Sequence, residues 1–338
     1  MKVLVTGGLG FIGSHTVVSL IENGLEVTIV DNLYNAKEIV LDRIENITGK
    51  RPSFYKGDVQ DLPFLESVFE KEKIDAIIHF AGYKAVGESV AKPLMYYDNN
   101  LVSTFALLKC MEKFGVKNLV FSSSATVYGL PDEVPLTEES EVKSATSPYG
   151  ETKVMIERIL TDISNVNKDL NVAILRYFNP IGAHKSGLLG EDPNGIPNNL
   201  LPYINKVAVG LLPQVNVFGN DYPTPDGTGV RDYIHVCDLA YGHVLALKKL
   251  ALNPGLVIYN LGTGKGTSVL EVIKAYEKST GVHIPYEMKP RRAGDVPVNY
   301  ASTVKAEKEL GFKCKYTIED ACLDGFNFQK AEYERNSK

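Results

Sequence analysis

The sequence predicts an α/β fold: a doubly wound parallel sheet with a smaller C-terminal lobe interleaved with it along the chain. Three observations carry that prediction. Short β-branched runs alternate with longer amphipathic stretches through the first half. A glycine-rich turn joins the first such run to the first amphipathic stretch. Beyond Tyr177 the alternation gives way to segments dense in Pro, Gly and Asn.

Strands are read at residues 2–5, 26–30, 76–79, 119–121 and 172–175, with helical patterns between them at 12–23, 101–114 and 149–163. Near-continuous apolar runs of this length suit strands buried on both faces, which a parallel sheet achieves by carrying helices on each side. Residues 180–202 and 219–229 read as long loops, of the kind that shape binding sites in compact enzymes. The alternation returns over 233–250 and 257–261. The expected division is therefore residues 1–176, with 233–262 returning to the sheet, against a lobe made of 177–232 and 263–338. The charged end, 332–338, is expected to fray.

Composition narrows the function classes. With 44% hydrophobic and 23% charged residues the chain resembles an ordinary globular protein, and at 338 residues it can bury a sizeable core. The net charge is −5 and the Lys and Arg residues are scattered, which excludes the broad basic face that nucleic-acid binding needs. No apolar run approaches the roughly 18 residues of a membrane helix. The opening residues are too quickly broken by Gly7 and Gly8 for a signal peptide, so the expected compartment is the cytoplasm. Cys110, Cys237, Cys314 and Cys322 form no Cys-x-x-Cys pair and read as buried, reduced thiols; Cys110 sits in an apolar helical pattern. The six histidines show no metal-ligand spacing, and no metal is expected.

The segment Thr6, Gly7, Gly8, Leu9, Gly10, Phe11, Ile12, Gly13 follows the first strand and opens the first helix. Glycines there let the backbone turn sharply and approach a pyrophosphate, whose charge the positive helix N-terminus favours. Asp31 ends the second strand, where a carboxylate accepts hydrogen bonds from an adenosine ribose. The same carboxylate repels a 2′-phosphate, so NAD is favoured over NADP.

Ser147 and Pro148 read as an N-cap and a first helical position, placing Tyr149 and Lys153 one turn apart on one face. A tyrosine is a poor base at neutral pH, but a neighbouring ammonium and a nicotinium both favour its phenolate. Tyr149 is thus a candidate general base, although Tyr-x-x-x-Lys alone also fits an exposed helical pair. Ser122, Ser123 and Ser124 follow an apolar strand end at the carboxyl edge of the sheet. A hydroxyl there can relay a proton to Tyr149, or the three can simply form a turn.

Through Thr-Gly-Gly-x-Gly-x-x-Gly, Asp31, the Ser124 region and Tyr149 with Lys153, the chain resembles the extended short-chain dehydrogenase/reductase superfamily. Within it the chain resembles the UDP-glucose 4-epimerase family over nearly its whole length, through residues 79–82, 84–89, 122–129, 176–182, 195–200 and 230–235. That resemblance implies interconversion of UDP-glucose and UDP-galactose on tightly held NAD, regenerated each turnover. Tyr149 would take the proton of the 4-hydroxyl, assisted by Ser124, while hydride passes from carbon 4 to the nicotinamide. Lys153 would hold the nicotinamide ribose and lower the pKa of Tyr149. The resulting 4-keto sugar would turn over and take the hydride back on its other face.

By the same resemblance the cofactor site comprises Gly7, Gly10, Phe11, Ile12, Gly13, Asp31, Asn32, Asn35, Asp58, Val59, Phe80, Ala81, Gly82, Lys84, Asn99, Ser122, Tyr149, Lys153, Tyr177 and Phe178. The UDP-sugar side adds Ser124, Asn179, Asn199, Leu200, Phe218, Arg231, Arg292, Asp295 and Asn299 to Lys84 and Tyr149. Arg231 and Arg292 would meet the pyrophosphate, Asn179 and Asn199 phosphate and sugar, Phe218 the uracil and Asp295 the uridine ribose. Taken alone, Arg292 beside Arg291 also reads as a solvated charge pair. Residues 1–176 would then be the NAD-binding domain and the second lobe the UDP-sugar-binding one. A homodimer is implied, through helices 101–114 and 149–163, whose apolar stripes equally fit packing within one chain.

Two other readings share part of this pattern. A nucleotide-sugar 4,6-dehydratase shares fold, cofactor and first hydride step, but usually carries an Asp-Glu pair after the catalytic Ser or Thr, where this chain has Ala125 and Thr126. A non-enzymatic NAD sensor needs neither Tyr149, Lys153 nor Ser124. Asn299 departs from the form that handles only glucose and galactose, where a bulky tyrosine tends to stand. The smaller amide suggests slower use of UDP-N-acetylglucosamine and UDP-N-acetylgalactosamine as well.

Overall fold

In the first strand, β1 (Lys2–Thr6), Val3 and Val5 join one apolar core and Leu4 joins another, all fully buried. A strand apolar on both faces requires a covering layer on each side. The computed structural model describes residues 1–193, 195–292 and 294–336 and supplies both layers. After β1 come α1 (Phe11–Glu22), β2 (Glu26–Asp31), α2 (Ile39–Thr48), β3 (Ser53–Lys56), α3 (Leu62–Lys71) and β4 (Ala76–His79). Then follow α4 (Val86–Ala91), α5 (Pro93–Phe114), β5 (Asn118–Ser124), α6 (Pro148–Val166), β6 (Asn171–Tyr177), β7 (Asn179–Ile181) and α7 (Leu200–Ala208). The remainder is β8 (Val215–Phe218), β9 (Val230–Arg231), β10 (Tyr233–His235), α8 (Val236–Leu250), β11 (Leu256–Leu261) and β12 (Thr267–Ser268), then α9 (Val269–Thr280), β13 (Tyr286–Lys289), β14 (Val298–Asn299), α10 (Val304–Leu310) and α11 (Ile318–Asn336).

Seven strands form one parallel sheet in the order β3-β2-β1-β4-β5-β6-β11. One face is covered through Val17 and Leu20 of α1, Ile44 of α2 and Leu239, Val244 and Leu247 of α8. The other is covered through Leu65 and Val68 of α3, Leu107 of α5 and Ile156 and Leu160 of α6. From β1 the chain winds toward β2 and β3, and from β4 it winds the opposite way. The loops leaving these two adjacent strands therefore diverge, opening a crevice at their carboxyl ends.

The second lobe has its own core, from Leu201 and Ile204 of α7, Val215 and Val217 of β8, Val272, Ile273 and Tyr276 of α9 and Cys322 of α11. Its strands form a β12-β9-β14 ladder and a β13-β8 pair. Two placements differ from expectation. The strand 233–235 pairs with β7 outside the main sheet, and it is α8, packed on α1, and β11 that lie with the sheet. The segment around α10, expected in the smaller lobe, packs on the sheet side through Ala306 and Phe312. Helix α11 runs to Asn336, and its buried Glu332 pairs with Arg43 of α2 at 2.9 Å; residues 337 and 338 of the expected frayed end lie outside the described residues.

Helix α5 begins at Pro93, well before the apolar pattern at 101. Its first turns bury Tyr96, Asn99 and Asn100, polar residues that break the apolar period. The four cysteines are free; Cys110 and Cys322 are buried, whereas Cys237 and Cys314 are half-buried, not fully buried as expected. Burial raises the thiols, Cys110 to about 11 and Cys237 and Cys322 to about 12, so they remain protonated and unreactive at neutral pH. Among the described residues no helix is long and apolar enough to cross a membrane.

Helix α6 is fastened to the sheet by charge. Glu157 accepts hydrogen bonds from Arg176 of β6, with Nη2 at 2.6 Å and Nε at 3.1 Å, and from the Ser123 hydroxyl of β5 at 2.5 Å. Arg176 Nη1 donates to the Tyr128 hydroxyl at 3.1 Å, which donates to Asn260 of β11 at 2.6 Å. Every one of these side chains is buried.

Candidate active site

The glycine turn lies where the crevice opens. Gly7 has φ +68, and a Cβ there would fall 2.9 Å from the Ala81 nitrogen, so the loops after β1 and β4 touch. A Cβ on Gly13 would fall 2.2 Å from the Gly7 carbonyl, which only glycine permits. Helix α1 starts with no side-chain cap and no acidic residue in its first turn. Phe11, Ile12 and Gly13 therefore present an N-terminus suited to an anion.

Asp31 accepts from the Leu9 nitrogen at 3.0 Å and the Leu33 nitrogen at 2.9 Å, which pins its carboxylate beside the glycine turn. Burial raises its pKa while those two donors lower it. Farther along, Asn32 donates to Asp58 at 3.0 Å, and Asp58 accepts from the Gln60 nitrogen at 2.9 Å. The Gln60 amide donates to Asn99 at 3.2 Å. Val59 is buried in the core beside α3, and Asn35 lies in the loop after β2. An open, uncapped helix end, a close glycine approach and a carboxylate at the end of β2 together fit a dinucleotide bearing a free 2′-hydroxyl.

The loop after β4 carries Phe80, Ala81, Gly82 and Lys84. Two bonds from Asn100 hold it, one from the Tyr83 nitrogen at 2.8 Å and one to the Tyr83 carbonyl at 3.1 Å; Asn100 also donates to Thr152 of α6 at 3.1 Å. Gln60 and Asn100 were not picked out from the sequence. Their signal was available only in part, as a polar pair, Asn99 and Asn100, inside a helical stretch.

Ser147 caps α6, its hydroxyl accepting from the Gly150 nitrogen at 3.2 Å. Tyr149 thus falls in the first turn and Lys153 in the next. Lys153 Nζ donates to the Ser122 carbonyl at 2.7 Å and lies 5.9 Å from the Tyr149 ring centroid. The three serines belong to β5 itself and take three separate roles. The Ser122 hydroxyl meets the hydroxyl of Tyr177, Ser123 turns to Glu157, and Ser124 caps a 3₁₀ turn through the Thr126 nitrogen at 3.2 Å. Ser124 also faces Tyr149. Phe178 is buried next to Tyr177.

Burial pushes the Tyr149 phenol up to about 12, against the downward pull of Ser124. Burial also draws the Lys153 ammonium down to about 8, against the upward pull of Glu157. Lys153 turns its ammonium to the Ser122 carbonyl, and burial is the largest influence on the Tyr149 phenol.

On the second lobe Arg292 lies over the Phe218 ring at 4.6 Å and donates to Asp295 at 3.2 Å. Arg231 approaches Asp295 at 3.8 Å. Arg291 instead turns to Asp221 and lies over Tyr222 at 4.1 Å, so adjacent arginines serve different partners. Phe218, Arg231, Arg292 and Asp295 thus converge. Asn179 is exposed on β7, and Asn199 and Leu200 stand at the start of α7. Asn299 lies on β14, paired with Arg231 of β9, and its buried amide oxygen has no partner among the described residues.

Residues 4–324 match the family model described as GDP-mannose 4,6 dehydratase. The chain is 56% identical to the UDP-glucose 4-epimerase of Bacillus subtilis (strain 168), over 98% of this chain and 97% of that one. The chain belongs to the UDP-glucose 4-epimerase family. This is a branch of the extended short-chain dehydrogenases/reductases whose members are NAD-dependent enzymes. UDP-glucose 4-epimerase 2 of Arabidopsis thaliana is 57% identical, over 97% of this chain and 94% of that one. The crystal structure of the Bifidobacterium longum UDP-glucose 4-epimerase, in complex with NAD+ and UDP, superposes with a TM-score of 0.96. It is 56% identical, covering 98% of this chain and 99% of that one. The matching family model bears a dehydratase's name, but Ala125 and Thr126 follow Ser124 here, not the Asp-Glu pair expected of a dehydratase.

Asp31 generates a direct prediction. Asp31→Ala should lose part of its NAD on purification and tolerate NADP better, because ribose acceptor and phosphate repulsion vanish together. Mass analysis of the released nucleotide checks it, and undiminished NAD with no gain for NADP would place the ribose elsewhere.

Proposed function

We propose that this chain interconverts UDP-glucose and UDP-galactose by inverting carbon 4 through a transient 4-keto sugar. The observation that carries the reading is the meeting of Tyr149, Ser124 and Lys153 beside a dinucleotide crevice, in a chain with full-length likeness to named epimerases. NAD, which the Gly7–Gly13 turn and Asp31 would hold, would supply reversible hydride chemistry at carbon 4, with no net oxidation. Tyr149 takes and returns the proton of the 4-hydroxyl, with Ser124 as relay. A phenol held near about 12 stays protonated at neutral pH in the protein alone. Proton removal therefore waits for positive charge beside the ring, which couples the chemistry to a loaded crevice.

Inversion needs a firm grip on UDP and a loose one on the hexose, because the sugar must present both faces. Arg231 and Arg292 hold the pyrophosphate, Phe218 packs on the uracil, Asp295 meets the uridine ribose, and Asn179, Asn199 and Leu200 contact phosphate and sugar. The ion pairs of Arg292 and Arg231 with Asp295 are partly exposed, and such pairs contribute little to stability. Ligand recognition explains their arrangement better. By this reading residues 1–176, with 233–262, hold NAD, and 177–232 with 263–338 hold the UDP-sugar. The proposed compartment is the cytoplasm, in keeping with four free cysteines.

A second copy of the chain is the proposed partner, through α5 and α6. Val102, Phe105 and Met155 are exposed there, and Leu101, Val154 and Ile159 line an apolar hollow beside them. An apolar face of this kind fits an isologous dimer. Sedimentation should show twice the chain mass, and a monomer at micromolar concentration would exclude this partner.

The reaction itself is tested by incubating purified protein with UDP-galactose and no added cofactor, which should yield the equilibrium mixture. In the same assay Tyr149→Phe should keep its fold and its NAD while turnover drops by ~10²-fold to ~10⁴-fold. Retention of more than about half the activity would remove Tyr149 from the general-base role.

Substrate range follows from Asn299, whose buried, unpartnered amide oxygen can accept from an acetamido N–H. The neighbouring Tyr300 ring lies close to Gly266, where a Cβ would fall 3.3 Å from it. The protein should epimerise UDP-N-acetylglucosamine more slowly than UDP-glucose, and Asn299→Tyr should abolish the first activity while sparing the second. No UDP-N-acetylgalactosamine at enzyme levels that equilibrate UDP-galactose within minutes would refute this.

A further inference from the structure

Glu191 lies in the loop between β7 and α7 and belongs to none of the site residues read from the sequence. Its side chain is only 9% exposed. One carboxylate oxygen, Oε1, accepts from Lys84 Nζ at 3.2 Å and from Asn199 Nδ2 at 2.8 Å. Lys84 comes from the loop after β4, at the dinucleotide crevice, and Asn199 from the start of α7 in the second lobe. A single carboxylate therefore joins one site residue from each half of the molecule.

Described residues close to Glu191 are tied down as well. Neighbouring Asp192 pairs with Lys37 of the loop after β2, and the Leu188 carbonyl accepts from Arg43 of α2 at 3.2 Å. Asn199 stands at the N-cap of α7, a place where asparagine ordinarily accepts from the first turn, yet it makes no capping bond. Its amide is turned to Glu191 instead. A lone carboxylate beside a diphosphate pocket would repel the ligand, and the Lys84 ammonium offsets that charge. The arrangement forgoes a local helix cap for an orientation that serves a site.

We propose that Glu191 is a positioning residue for the epimerase reaction, fixing the Lys84 ammonium and the Asn199 amide in the orientation that the UDP-sugar meets. The proposal rests on the reading of Lys84 and Asn199 as substrate-binding side chains. Glu191→Ala frees both, and the released Asn199 amide is then available to cap α7 instead of meeting the ligand. Glu191→Gln keeps an acceptor oxygen for Asn199 and loses only the charge.

The test uses the protein with its cofactor as purified, titrated with UDP by calorimetry and assayed with UDP-galactose. Glu191→Ala should raise the Kd for UDP and the KM for UDP-galactose about tenfold, with kcat within about threefold of wild type. Glu191→Gln should restore both to within about threefold. In a double-mutant cycle, Asn199→Ala should cost less UDP affinity in the Glu191→Ala background than in wild type. Unchanged Kd and KM, additive losses in the cycle, or a fall in kcat at constant KM would each overturn the proposal. So would a lowered Tm with unaltered UDP affinity, the mark of a merely structural role. Wild-type protein that binds UDP without turning over UDP-galactose would refute the proposed reaction and leave the affinities to judge Glu191. Wild-type protein that binds no UDP would overturn both assignments.

Discussion

The buried contact between Glu157 and Arg176 is the constraint from which the site's geometry follows. Glu157 lies one turn beyond Lys153 on α6, so the helix that carries Tyr149 and Lys153 is registered against β6 through Arg176 and against β5 through Ser123. Arg176 extends the link through Tyr128 to Asn260 on β11. Removing one partner from such a buried pair leaves an uncompensated charge and costs about 3–5 kcal/mol. The same carboxylate raises the Lys153 ammonium against the effect of burial, so one residue both places the helix and tunes its lysine.

Burial acts on the two key groups in one direction. It drives Tyr149 toward the neutral phenol and Lys153 toward the neutral amine, because both charged forms lose hydration in the crevice. The protein by itself therefore does not hold a ready phenolate. What it holds is geometry: Ser124 facing Tyr149, Lys153 on the Ser122 carbonyl and an uncapped α1 alongside.

Polar contacts join the two halves of the molecule around this crevice, beside the apolar ones of Ala301, Ala306 and Phe312. The fully buried Asp232, between β9 and β10, accepts from Thr263, Gly264 and Ala301 and so ties the loop after β11 to the strands of the second lobe. Glu191 and Asp192 do the same from the opposite side, reaching Lys84 and Lys37. Polar links of this kind have defined directions, which an apolar contact lacks, and they set the orientation of side chains that face a ligand.

Much of this was legible in the amino-acid order. The glycine turn, Asp31, the Ser147 cap and the Tyr149–Lys153 spacing depend on interactions within a few residues or on one strand-to-helix junction, and such local chemistry is written in adjacent residues. The long apolar strands and helices were readable for the same reason, whereas β3 was missed because it is short and half exposed. The start of α5 was missed because its inner face is polar. Only the tertiary structure decided the partners of Glu157, Asp232 and Glu191, the separate roles of three consecutive serines, the divergence of Arg291 from Arg292, and the pKa of Tyr149. Those depend on desolvation and on contacts between residues far apart in the chain, and neither quantity exists until the chain has folded.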